Sequence, residues 1–216
     1  NKTRMLSKSR MGFGVFVMRE NNGPLDFYTS MLTYAYYLPL SKYSLSELSF
    51  GISVEVSQYN IDETLLDPFD EGDPELAGIN DRYLFPESGF GVYYHNEQFY
   101  IGLSVNELFQ SKLPYADIKL IDNTRDFFLQ TGYKFYLPRF ELEPIAFIAK
   151  INDRPIYFYN QLKLYYLNYN WIAIAYKSTN TLIASAGIRV GRMFFAYAYE
   201  ANISRMQKYF GGSHEI

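Results

Sequence analysis

The chain has 216 residues, no cysteine, a formal net charge of −3 and an aromatic content of 19%, with 22 Tyr and 18 Phe. The lack of cysteine excludes disulfides and thiol chemistry, and the slight acidity argues against nucleic acid, which calls for a basic footprint. Mean hydropathy is −0.19, and no stretch approaches the roughly 20 consecutive apolar residues of a membrane-spanning helix.

Abundant aromatics without a long apolar run suit a chain that alternates apolar and polar positions, as a transmembrane β-barrel or a soluble all-β sandwich or barrel does. In chain order, strands are expected over 11–20, 26–38, 46–59, 88–95, 98–106, 127–137, 141–151, 156–167, 170–178, 181–190 and 193–201, with another starting at 213. The clearest covers 48–59, where Leu48, Phe50, Ile52, Val54 and Val56 alternate with Ser49, Gly51, Ser53, Glu55 and Ser57. Residues 98–106 repeat the pattern, with Phe99, Ile101, Leu103 and Val105 opposite Tyr100, Gly102, Ser104 and Asn106. So do residues 181–190, with Leu182, Ala184, Ala186 and Ile188 opposite Ser185, Gly187 and Arg189.

Short turns are expected at 38–44, 95–97, 138–139, 168–170 and 191–192. Longer connections, at 60–87, 107–126 and 202–212, all fall on the other parity, together with 21–24, 152–153 and 178–180. Outer-membrane barrels sort their connections this way, with short turns at one end and longer loops at the other. The expected fold is therefore all-β: a transmembrane antiparallel up-and-down β-barrel forming one domain over 1–216. Neither an initiator Met nor a signal peptide stands at Asn1. Because such a barrel has to be exported, the sequence reads as processed or incomplete.

Several motifs, in order, resemble one family. Gly12-Phe13-Gly14 is followed by Asn21-Asn22-Gly23-Pro24-Leu25, then by Gly51-Ile52-Ser53 and the stretch Ser57-Gln58-Tyr59-Asn60-Ile61-Asp62. Leu66-Asp67-Pro68 with residues 70–74 makes an Asp/Pro-rich loop. Tyr100-Ile101-Gly102-Leu103-Ser104-Val105 leads into Leu108-Phe109-Gln110. Glu143-Pro144, Lys150, Pro155, Trp171 and Tyr176-Lys177 precede Tyr197-Ala198-Tyr199-Glu200 and the closing Gly212-Ser213-His214-Glu215-Ile216.

This order is similar to the PorP/SprF family of type IX secretion and gliding proteins in the outer membrane of Bacteroidetes. Glu200 stands where the family pattern has Asp, and Asn106-Glu107 where it has a Pro-His pair. The family's Asn-Pro-Ala-type N-terminal segment and the remainder of its final strand are missing. The resemblance implies a full-length barrel of about fourteen strands, about twelve of them represented here.

Catalytic chemistry has nothing to hold on to. The two histidines, His95 and His214, sit in no cluster with metal-ligand spacing. No nucleophile elbow, phosphate loop or dinucleotide fingerprint occurs. The chain reads as a non-enzyme with no cofactor and no metal. The acidic stretch 62–81, with Asp67, Asp70, Glu71, Asp73 and Glu75, could hold calcium through carboxylate oxygens, but Pro68 and Pro74 break any EF-hand spacing, so a solvated loop is the plainer reading.

Two sets of residues are candidates for function. Glu55, Lys134, Lys163, Lys177, Arg189 and Glu200 fall on the inward face as lumen charges, with Lys150 at the end of that register; a packed plug of ion pairs is the plain reading and a pore lining or docking socket the sharper one. Tyr159, Tyr165, Gln130 and Phe128 also point inward, so the lumen is bulky. Leu108, Phe109, Leu113 and Tyr115 make the 107–126 connection apolar for an exposed loop and mark it as a partner-binding surface. The Tyr34-Tyr36-Tyr37, Tyr93-Tyr94, Tyr165-Tyr166 and Tyr197-Tyr199 groups read as interfacial girdles.

The resemblance implies a component that binds secreted surface proteins by their C-terminal signal domains and anchors them at the cell surface. It would also link to periplasmic lipoproteins of the secretion or gliding apparatus. Outer-membrane lipid would surround the barrel. The alternatives are a diffusion channel and a soluble barrel for a small apolar ligand.

Overall fold

The computed structural model describes residues 10–23, 25–41, 45–61, 82–110, 124–152, 154–167, 169–203 and 212–215. Every regular element among them is a β-strand: β1 (Arg10–Asn22), β2 (Leu25–Pro39), β3 (Glu47–Ile61), β4 (Arg82–His95), β5 (Phe99–Asn106), β6 (Asp126–Tyr133), β7 (Phe135–Tyr136), β8 (Phe140–Lys150), β9 (Tyr157–Tyr166), β10 (Asn170–Lys177), β11 (Thr181–Val190), β12 (Met193–Asn202) and β13 (Ser213–Glu215). They form one antiparallel sheet in strict chain order, with β7 alone off the path and paired to β8. This is the up-and-down order of a β-barrel; among the described residues no ladder joins β1 to β13. A two-sheet sandwich is not what the chain builds.

The split between β6 and β7 has a local cause. Gly132 faces Ile145 and Phe135 faces Leu142, the same register on both sides of the gap. The residue facing the gap on β8 is Pro144, which has no N–H to give to the ladder. The stretch 126–136 is thus one strand with one interrupted pairing, close to the single strand expected over 127–137.

The strand at 88–95 is a correction. It begins at Arg82, so the connection after β3 is shorter than the 60–87 expected. Pro86 conceals the pattern, yet Pro86 pairs with Val56 on one face and Glu87 with Glu55 on the other. Strand lengths divide the sheet: β1 to β4 have 13, 15, 15 and 14 residues, whereas β9 and β10 have 10 and 8.

Burial runs opposite to that of a globular domain. Phe13 is 82% exposed, Val15 76%, Leu103 58% and Ile174 64%, all on one face of the sheet. Among the described residues, those buried on the other face are small or polar, such as Ala149, Ala173, Ala175, Thr29, Ser49, Ser57, Glu87 and Glu143, with Phe85 the one large apolar exception. No large side chain among them is fully buried. An apolar exterior over a polar interior is what a barrel in lipid requires.

Turns at one end are tight. Asn96 Oδ1 accepts from the backbone N–H of Gln98 and Phe99 at 2.8 and 2.7 Å. Gly191, at φ 62°, reverses the chain between β11 and β12 in a conformation that suits glycine.

Candidate functional site

Alternation along each strand and register between strands settle which side chains share the inner face. Starting from Glu55, the register carries that face through Glu87, Ser104, Gln130, Phe147, Tyr159 and Lys177 to Glu200. Glu55, Lys163, Lys177, Arg189 and Glu200 all lie on it. Lys134, between β6 and β7, reaches the inner-facing Glu141 at 3.1 Å. Lys150 does not join them: it faces outward beside Phe127, and its ammonium donates to the Arg154 carbonyl at 2.6 Å.

The structure does not gather these charges into one site. Near the tight-turn end the charges alternate in sign. Arg10 pairs with Glu47 at 2.9 Å, and His95 Nε2 lies 3.4 Å from the other Glu47 oxygen. Lys163 sits 4.1 Å from the centroid of the Trp171 ring and 4.7 Å from that of Tyr165. Its cross-strand neighbour on β8 is the buried Glu143, which accepts a hydrogen bond from the Tyr100 hydroxyl at 3.2 Å. Arg189 stacks on Tyr169 at 4.6 Å and donates to the Gly191 carbonyl.

Toward the opposite end Lys177 and Glu200 pair at 2.6 Å across the intervening β11. Glu55 accepts from the Ser57 hydroxyl at 2.8 Å. It belongs to an acidic wall with Glu87 and Glu107, beside the Asn106 amide, lining a recess of about 440 Å3. A second inner recess of about 620 Å3 is floored by Gly51, Gly91 and Gly102 and walled by Tyr37, Tyr93 and Phe128.

The first residues after β5 fold back onto β4 rather than standing free. Leu108 N donates to the Ser88 carbonyl at 3.1 Å, and Phe109 N to Glu87 Oε2 at 3.3 Å. Glu107 makes the bend at φ 56°, an uncommon conformation outside glycine, and its Oε2 is buried with no hydrogen-bond partner. Burial, and then the carboxylates of Asp126, Glu87 and Glu55, push the Glu107 carboxyl up to about 7. Phe109 is 62% exposed. Leu113 and Tyr115, from the same candidate surface, lie outside the described residues, as does the acidic stretch 62–81.

The girdle expectation needs correction. Tyr94 and Tyr166 face outward, but Tyr37, Tyr93 and Tyr165, one from each adjacent group, face inward because neighbouring side chains alternate. Tyr37 and Tyr93 lean over glycines on the next strand, Gly12 and Gly102. Among the candidate lumen charges the sequence did not point to Glu87, Asp126 or Glu141, and Glu107 and Glu143 entered only through the family pattern. An acidic residue in step with Gly89 and Gly91 was the available signal for Glu87.

No three His, Asp or Glu side chains among the described residues are placed to hold a metal ion. The arrangement offers fixed charges and aromatic faces for recognition. A family model described as Type IX secretion system membrane protein PorP/SprF matches residues 2–216. No curated protein and no solved structure matches the chain.

Proposed function

Because the chain belongs to the PorP/SprF family of type IX secretion system membrane proteins, we propose that it is a single outer-membrane barrel that binds secreted surface proteins and anchors them at the cell. The longer connections would face outward and grip the C-terminal signal domains of those proteins. The tight turns would face the periplasm and meet lipoproteins of the secretion or gliding apparatus. The work is recognition, with no catalytic step.

The observation that carries this reading is the sorting of connections. Residues 62–81 and 107–125 join strands at one end of the sheet, whereas 96–98, 167–169 and 191–192 suffice at the other. Loops that protrude from a rigid barrel are the usual seat of binding. Phe109, apolar and exposed beside a recess, fits that role.

The test replaces 107–115 with a Gly/Ser linker in the full-length protein and follows both the barrel and its cargo. Loss of retained surface protein with the barrel intact is expected; unchanged retention would remove this loop from the account. Copurification from membranes in mild detergent then identifies what is bound. A second reading, a diffusion channel, draws on the glycine-floored inner recess. It requires that Lys163→Met and Arg189→Met alter ion selectivity across a planar bilayer.

A further inference from the structure

Asn160 stands on the outer face of β9, with Phe158 on one side along the strand and Leu162 and Leu164 on the other. It is exposed, and its amide has no hydrogen-bond partner among the described residues. In the same row of the sheet lie Ala146 on β8 and Thr131 on β6. These three short side chains floor a notch of about 560 Å3 in the apolar belt, with Leu162 and Ile174 rising as a ridge along one edge. Thr131 satisfies its own hydroxyl by donating to the Tyr100 carbonyl at 3.0 Å. Asn160 has no such recourse.

Lipid tails offer an amide neither donor nor acceptor, and a polar group held in hydrocarbon calls for a partner that supplies both. A second copy of this chain supplies one of matched chemistry. A primary amide carries two N–H donors and a carbonyl acceptor, so two amides facing each other across a two-fold axis bond reciprocally. Shape agrees with chemistry. The ridge, with Ile174 64% exposed, lies directly beside the notch, so the rotation that brings two Asn160 side chains together turns each ridge toward the other's notch. Small residues at the floor let the two backbones approach closely.

We propose that this notch is a self-association surface, through which two copies of the chain meet in the membrane by their β8–β9 walls with Asn160 paired to Asn160. The pairing is independent of cargo binding, so failure of the loop-replacement test leaves it standing.

The chain has no cysteine, so Asn160→Cys places a single thiol in the full-length protein in its native membrane. A short bis-maleimide should then give a covalent dimer as the main product, as it should for Ala146→Cys. Val15→Cys, exposed on the distant β1, should stay monomeric. Asn160→Leu should fold as a barrel yet run as a monomer by native mass spectrometry in mild detergent, where the parent protein runs as a dimer. Monomers throughout, equal crosslinking at Val15→Cys, or crosslinks only to a different protein would overturn the proposal.

Discussion

The Tyr100 hydroxyl reaches Glu143 at 3.2 Å across a whole intervening strand, and it does so by laying its ring over Gly132. A Cβ on Gly132 would collide with that ring. The Trp171 ring lies over Gly187 in the same manner. Backbone exposed by a glycine is thus covered by an aromatic from the next strand, and in Tyr100 the polar tip is delivered to a buried carboxylate as its hydrogen-bond donor.

Gly132→Val should therefore destabilise the barrel by about 1–3 kcal/mol, the usual cost of overpacking a filled site. The ring must move and Glu143 loses its donor. Gly51→Ala is the control, because the nearest atom to its added Cβ is the Tyr34 carbonyl oxygen at 3.9 Å. Urea unfolding from lipid vesicles reads both; equal midpoints for the two variants would contradict the packing argument.

Lys177 and Glu200 are each partly exposed, at 25% and 33%, so solvent weakens their attraction. A double-mutant cycle with Lys177→Met and Glu200→Gln should give a coupling on the order of 0.5–1 kcal/mol, with the double variant closer to the parent than the sum of the singles. Strict additivity would mean that the pair contributes nothing as a pair.

Glu107 makes the start of the 107–125 connection sensitive to pH. Its folded-state pKa is raised to about 7 from 4.5, so the folded arrangement favours the protonated form. The stabilisation this gives is complete below the unfolded value, falls as pH climbs toward 7, and is gone above it. Hydrogen exchange at the Leu108 and Phe109 amides, corrected for the intrinsic rate, should show protection declining over that window. Glu107→Gln should flatten the curve.

Facing direction should decide how a new charge is tolerated. Ile174→Arg puts a cation into lipid and should cost about 2–4 kcal/mol near the midplane, read as reduced insertion. Gln161→Arg, one strand away on the inner face, should insert nearly as the parent does. Similar losses at both would mean the two faces are misassigned.

Much of this fold was legible because alternation is a local signal: Leu48 to Val56 and Phe99 to Val105 declare their faces within a single strand. Pro86 obscured the start of β4, since a proline beside an acidic residue reads as loop until the partner strand shows it paired to Val56. The site was less legible. Which glycine underlies Tyr100, and which carboxylate its hydroxyl finds, depend on register between strands, and no stretch of one strand encodes that. Glu107 was hidden for a similar reason, because the carboxylates that act on it, Asp126, Glu87 and Glu55, lie on three other strands.

One wall of this barrel is taller than the rest. At about 3.3 Å per residue and a tilt of about 40°, the 15-residue β2 and β3 stand roughly 38 Å high and the 8-residue β10 roughly 20 Å. The apolar band of such barrels measures about 25 Å, so the bilayer beside β10 has to thin to meet it, while lipid along β2 and β3 does not. That mismatch carries an elastic cost where the strands are short, as at β5 and β10, and none along β2 and β3. Short-chain lipids and thin-belted neighbours lower it by collecting there, so the protein sorts its surroundings by thickness before any specific contact is made.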